Sequence, residues 1–163
     1  MPASTRVLDW GCGPGHDAAR FAALGLDVDP VDASAAMVRH ATVEHALPAR
    51  VATFDALDAR SAYGGVWANF SLLHAERASL PRHLARARAA LVPGGALYAS
   101  FKVGDGERRD ALGRRYTYVG EAELTALLEA AGFEVEATFG GESRGLDGAL
   151  ATWTGRLAGA RAG

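Results

Sequence analysis

Three glycines on alternate positions, Gly11, Gly13 and Gly15, stand between an apolar run at 6–10 and a helical pattern at 17–24, and no other feature narrows the fold as much. The run at 6–10 reads as a short buried strand. Gly25 suits the left-handed position that closes the helix after it. Without Cβ atoms, a loop of this kind lets a ligand approach the backbone, and the helix start behind it presents unpaired N–H groups. Asp32 closes the next strand, at the spacing of about 20 residues where an acid accepts hydrogen bonds from ribose hydroxyls. Together these features predict a nucleoside-containing ligand at the carboxyl edge of a parallel sheet.

The rest of the pattern agrees. Strands are expected at 26–31, 50–54, 65–70 and 96–102, and at 133–139 from the alternation of Phe133, Val135, Ala137 and Phe139. A helix at 34–46 is N-capped by Ser34, with Met37, Val38 and Ala41 on one face. A second starts at Ser79 with Pro81 in its first turn, places Leu80, Leu84, Ala87 and Leu91 on one stripe, and ends at Pro93-Gly94-Gly95. A third covers 121–131. Residues 104–115, polar and glycine-containing, read as a mobile loop, and 140–148 as a turn-rich link before a returning strand at 150–157. Pro30 is unusual inside a strand because proline cannot donate to the ladder. Strands separated by helices give the α/β class, a Rossmann-like, mostly parallel sheet with helices on both faces.

Bulk properties exclude several alternatives. A length of 163 residues suits one domain over 1–163, and 49% apolar residues are enough for a core. A net charge of −2 gives no electrostatic reason to expect nucleic acid as a partner. Cys12 is the only cysteine, so no disulfide or paired-thiolate zinc site can form within the chain. The histidines show no HExxH spacing, and no metal is expected. The chain has no secretory apolar segment at its start and no apolar run of about 20 residues. No membrane span and a cytoplasmic location are therefore expected.

The identity of the nucleoside turns on the loop. A dinucleotide fingerprint needs a third glycine where His16 stands, and a Walker A loop is absent. Asp9, two residues before Gly11, would repel a pyrophosphate but suits the ammonium of a methionine moiety. The stretch Val7-Leu8-Asp9-Trp10-Gly11-Cys12-Gly13-Pro14-Gly15 resembles the first motif of class I S-adenosylmethionine-dependent methyltransferases. Val31-Asp32-Ala33-Ser34 with Met37, Phe54-Asp55-Ala56-Leu57-Asp58 and Trp67 to His74 resemble their later motifs, in order. Leu91-Val92-Pro93-Gly94-Gly95 and Ala130-Ala131-Gly132-Phe133 continue the match. The wording of the fourth and fifth strands is similar to the bacterial small-molecule branch that includes tellurite and thiopurine methyltransferases.

The resemblance implies seven strands, the last antiparallel, and S-adenosylmethionine as cofactor. It implies that Asp9, Gly11 and Gly13, with Cys12 in the same loop, line the methionine part. Asp32, beside Ala33, would bind ribose, Met37 would pack on adenine, and Asp55 and Ala56 would read the adenine edge. The backbone at Asn69 and Phe70 would sit near the ammonium and the methyl group. His74, Lys102, Arg115 and Tyr116 are candidates to face a small-molecule acceptor, with His74 the choice if a base is used. Three departures stand out. Gly64 replaces a common acid, Pro30 a usual small residue, and the helices that relatives carry ahead of the first motif are absent. A partner or a missing segment covering the site is therefore expected. An inactive cofactor- or partner-binding relative remains an alternative, and a nicotinamide-dependent oxidoreductase a weaker one.

Overall fold

The computed structural model describes residues 5–145 and 148–161. Its main sheet has the order β3-β2-β1-β4-β5-β9-β8. The strands are β1 (Arg6–Trp10), β2 (Asp27–Asp32), β3 (Arg50–Val51), β4 (Tyr63–Ala68), β5 (Leu91–Lys102), β8 (Phe133–Arg144) and β9 (Leu150–Ala160). All neighbouring pairs from β3 to β5 are parallel, whereas β9 runs antiparallel to both β5 and β8. The sheet is the seven-stranded, Rossmann-like one expected. Its order reverses between β1 and β4, and a doubly wound sheet opens a crevice at the carboxyl ends of the strands where such a reversal occurs.

Side-chain alternation decides what each face buries. Leu8 and Trp10 of β1 join a large cluster with Leu84 of α3 (Leu80–Ala90) and with Leu124 and Leu128 of α4 (Glu121–Ala130). Val28 joins a smaller cluster with Ala18 of α1 (His16–Ala23) and Ala41 of α2 (Ala35–His45). Asp9 alternates with Leu8 and Trp10, so its carboxyl points to the α1 side and is buried there.

The structure departs from the expected pattern at four places. Residues 104–115 are not simply a loop, because β6 (Glu107–Arg109) and β7 (Arg115–Thr117) form a two-stranded hairpin. Its turn is closed by Asp110, whose carboxylate accepts from the Leu112 and Arg114 N–H groups and from the Arg114 guanidinium. That closure uses polar residues, so no apolar alternation announces it. The third strand shrinks to two residues and is followed by a 3-10 turn at Phe54–Ala56. β5 starts at Leu91, directly after α3, so Pro93-Gly94-Gly95 lies within it. β8 runs on to Arg144 through Gly140 and Gly141, where the Trp153 ring lies against the face that a Gly141 side chain would occupy. Pro30 is tolerated because β3 joins β2 only at Val31 and Asp32, so no β3 ladder reaches the proline.

Candidate active site

The glycine loop is held by the strand beside it. The N–H groups of Gly11 and Cys12 both donate to the Val31 carbonyl, at 2.9 and 2.8 Å. Gly11 has φ +84°, and a Cβ there would lie 2.4 Å from the Ser71 Cβ, so only glycine fits. Gly13 also has a left-handed φ, +53°, but no protein atom lies within 4 Å of where its Cβ would be. The backbone at that position is therefore open to a ligand.

Two acids flank this loop. Asp32 at the end of β2 accepts from Gly13 N–H at 2.9 Å and from Ser34 N–H at 2.8 Å. It thus ties the loop to the start of α2, where the Ser34 hydroxyl accepts from Met37 N–H. Asp9 lies beneath the loop. Burial pushes its carboxyl up to about 7, the charges of Asp17 and Asp32 add to that rise, and the Ala18 N–H opposes it. Its Oδ2 atom is buried without a hydrogen-bond partner among the described residues. Burial likewise pushes the Cys12 thiol up to about 12, with Asp9 and Asp32 contributing, so Cys12 is a small buried residue and not a nucleophile.

A polar chain shapes the end of β4. Asp17 accepts from Trp67 Nε1 at 2.9 Å and Asn69 Nδ2 at 3.0 Å. Ser100 donates to Asn69 Oδ1 and accepts from Phe70 N–H, both at 2.8 Å. Phe70 is held at φ +49°, a conformation that costs a bulky residue of order 1–3 kcal/mol. The network holds Phe70 in this strained conformation at the mouth of the site.

These elements enclose a cleft of about 500 Å³ at the carboxyl edge. Of the residues singled out in the sequence, Gly11, Gly13, Asp32, Ala33, Met37, Phe70, His74 and Arg115 line it. Asp9 and Cys12 sit under it. The Asn69 side chain turns into the polar chain instead. Asp55 and Ala56 do not reach the cleft. The 3-10 turn sends Asp55 out to an ion pair with Arg82 at 3.0 Å and Ala56 to a separate small cavity beside Leu8 and Trp10. Phe54 and Ala52 line the cleft in their stead, with Phe54 held edge-on to Trp10 at 5.2 Å. Ser71, inside the stretch Trp67 to His74, and Arg114, beside Arg115, also line it. Lys102 and Tyr116 line an adjoining hollow that shares Phe70 and His74 with the cleft.

His74 has a fixed orientation. Its Nδ1 lies 2.9 Å from the Arg115 carbonyl oxygen. A carbonyl only accepts, so Nδ1 carries a proton and Nε2 is the nitrogen left to face the cleft.

A methyltransferase-domain family profile matches residues 7–95, more than half of the chain. The chain belongs to the methyltransferase domain family. It is an S-adenosylmethionine-dependent methyltransferase of the class I fold. A SAM-dependent methyltransferase from Methanosarcina mazei superposes with a TM-score of 0.85 at 18% identity, covering 98% of this chain and 93% of that one. A 1,6-didemethyltoxoflavin-N1-methyltransferase from Burkholderia thailandensis, seen with its substrate and S-adenosylhomocysteine, is 26% identical with a TM-score of 0.78, covering 98% and 72%. A TehB-like methyltransferase from Corynebacterium glutamicum is similar at 17% identity with a TM-score of 0.75, covering 99% and 83%. No curated protein sequence matches the chain.

The residues of this methyltransferase fit S-adenosylmethionine. The cleft volume falls within the range of small-molecule sites, about 300–1,000 Å³. The open backbone at Gly13 admits a ligand, and Asp9 Oδ2 lacks the donor that an ammonium would supply. Among the described residues, no helix is long and apolar enough to cross a membrane.

Proposed function

We propose that this methyltransferase acts on a small-molecule acceptor and holds its cofactor along the Gly11–Gly13 backbone. In this reading Asp32 takes the ribose hydroxyls, Met37 and Phe54 flank adenine, and Asp9 meets the ammonium group, directly or through water. The observation that carries the reading is the pairing of an open Gly13 backbone with the Asp32 carboxylate in one cleft. When bound, S-adenosylmethionine supplies a methyl group on a positively charged sulfur, which a nucleophile displaces in line. The donor is already activated, so the chain acts mainly by positioning, which is worth up to about 7–11 kcal/mol of the barrier. His74 Nε2 is the base that removes a proton from an acceptor hydroxyl or amine, oriented by the Arg115 carbonyl. The hydrogen bonds to Ser100 keep the Asn69–Phe70 turn rigid at the methyl end. The single cysteine, a buried thiol, suits a reducing compartment, so we read the protein as cytoplasmic, and the likeness of its fourth and fifth strands to the bacterial small-molecule branch as the mark of a bacterial enzyme.

Calorimetric titration with S-adenosylhomocysteine, beside NAD as control, tests this. Micromolar binding of the homocysteine form, lost in Asp32→Ala, is the expected outcome. Binding of NAD alone would overturn the reading. Binding with no methyl transfer to any of a broad acceptor set would favour an inert relative.

A further inference from the structure

We propose that the acceptor is a small, ring-bearing anion, with a carboxylate or phosphate held by Lys102 and Arg144 in the hollow beside the cofactor cleft. The proposal rests on the methyltransferase reading above and gives its acceptor a chemistry.

The hollow measures about 250 Å³ and shares Phe70 and His74 with the cleft. It is therefore open to the same reacting region but separate from the glycine loop. Two cations reach it from different strands: Lys102 is the last residue of β5 and Arg144 the last of β8. Among the described residues, neither makes an ion pair and no Asp or Glu lines the hollow. Its neighbours behave differently. Arg77 pairs with Glu123, Arg82 with Asp55, Arg114 with Asp110, and Arg115 with Glu107 and Glu76. Arg77, Arg82, Arg114 and Arg115 are thus neutralised locally, while Lys102 and Arg144 have no such partner among the described residues. Two like charges at one hollow repel each other, and an anion between them converts repulsion into attraction. Lys102 Nζ lies over the Tyr116 ring, 4.3 Å from its centroid, which holds the ammonium at the wall. Arg144 gives one N–H to the Gly148 carbonyl at 3.0 Å, and its remaining donors are available to an oxyanion.

The walls between the charges and the cleft are aromatic. Phe70 is braced edge-on by Trp153 at 5.7 Å, and Tyr116 by His74 at 4.9 Å. The braced Phe70 ring suits a flat apolar body, which stacks on it, while the Tyr116 face carries the Lys102 ammonium. A ring seated there with its anion at Lys102 and Arg144 leaves its far side toward His74, whose Nδ1 is engaged by the Arg115 carbonyl so that Nε2 is the nitrogen left to meet it. The volume admits one ring with short substituents.

The test uses the full chain saturated with S-adenosylhomocysteine and ligand-observed NMR with calorimetry. The probes are 4-hydroxybenzoate and phenyl phosphate, each against a neutral counterpart, 4-hydroxybenzamide and phenol. At least one anion should bind about tenfold more tightly than its counterpart. Which anion wins separates carboxylate from phosphate. Lys102→Met and Arg144→Met should each abolish the preference, and Lys102→Arg should keep it. The homocysteine-form affinity, read in the same samples, reports an intact fold. Equal binding of anions and neutral molecules, or a preference that survives both methionine substitutions, would overturn the proposal. If the homocysteine form binds and no anion is preferred, the proposal falls alone. If it does not bind, the methyltransferase reading falls and the proposal with it.

Discussion

At Gly11 a methyl group would land 2.4 Å from the Ser71 Cβ, whereas at Gly13 it would meet no protein atom within 4 Å. The two glycines therefore separate folding from binding. Gly13→Ala is expected to fold with a loss of about 1 kcal/mol from its left-handed φ, yet to weaken S-adenosylhomocysteine binding by tenfold or more. Gly11→Ala should lose more stability than that, because backbone and Ser71 must both move. Thermal melting with calorimetry distinguishes the two. Asp9 sets a pH dependence. Its folded-state carboxyl titrates near 7 instead of the ordinary 3.8. The folded protein thus holds a proton that the unfolded chain has lost, and its contribution to stability falls as pH rises from about 4 to 7. Asp9→Asn, which mimics the protonated acid, should match the wild type near pH 4 and exceed it at pH 8 by a few kcal/mol, at about 1.4 kcal/mol per pH unit. Cofactor binding should run the opposite way. The ammonium favours ionised Asp9, so affinity for the homocysteine form should rise as pH passes through 7, and Asn should flatten that rise. Denaturant melts and titrations across pH check both slopes.

Two elements meet at the mouth of the site through one hydroxyl. Ser100 on β5 accepts from Phe70 N–H and donates to Asn69, which joins the end of β4 to α1 through Asp17. Ser100→Ala leaves the partly buried Phe70 N–H and Asn69 Oδ1 without this partner, with an expected cost of about 1–3 kcal/mol, read as a fall in melting temperature of several degrees. It should also release the strained Phe70 conformation, visible as new mobility of that ring by NMR. The β6–β7 hairpin is a second element of interest. It brings Arg114 and Arg115 to the cleft and supplies the carbonyl that orients His74. The proposed base and its orienting carbonyl thus come from separate elements, the turn at Leu72–His74 and β7.

For the whole molecule, ligand and fold are linked by mass action. A ligand at 100 times its dissociation constant stabilises the native state by about 2.7 kcal/mol. For a chain of this length that should raise the melting temperature by about 5–10 °C with S-adenosylhomocysteine. NAD at equal concentration should leave it unchanged. A rise with NAD and none with the homocysteine form would contradict the assignment.

Local chemistry made much of this legible in the chain. Alternating glycines, an acid ending the second strand, a Ser34 cap and apolar stripes are short-range signals, so they marked the parallel sheet, the glycine loop and Asp32 without any tertiary information. The hairpin at 107–117 was not legible, because its turn is stabilised by the Asp110 carboxylate and not by apolar periodicity. Nor was the exchange of Asp55 and Ala56 for Phe54 and Ala52 at the cleft, since a single 3-10 turn reverses which side chains face inward. The gathering of Lys102, Arg144, Tyr116 and His74 around one hollow depends on which strand ends the sheet order makes adjacent. The sequence by itself determined the class of fold and the kind of ligand its loop can cradle, because those follow from local backbone demands. Only the tertiary structure decided that Arg144 joins Lys102, Tyr116 and His74 around one hollow, because those contacts join residues far apart in the chain.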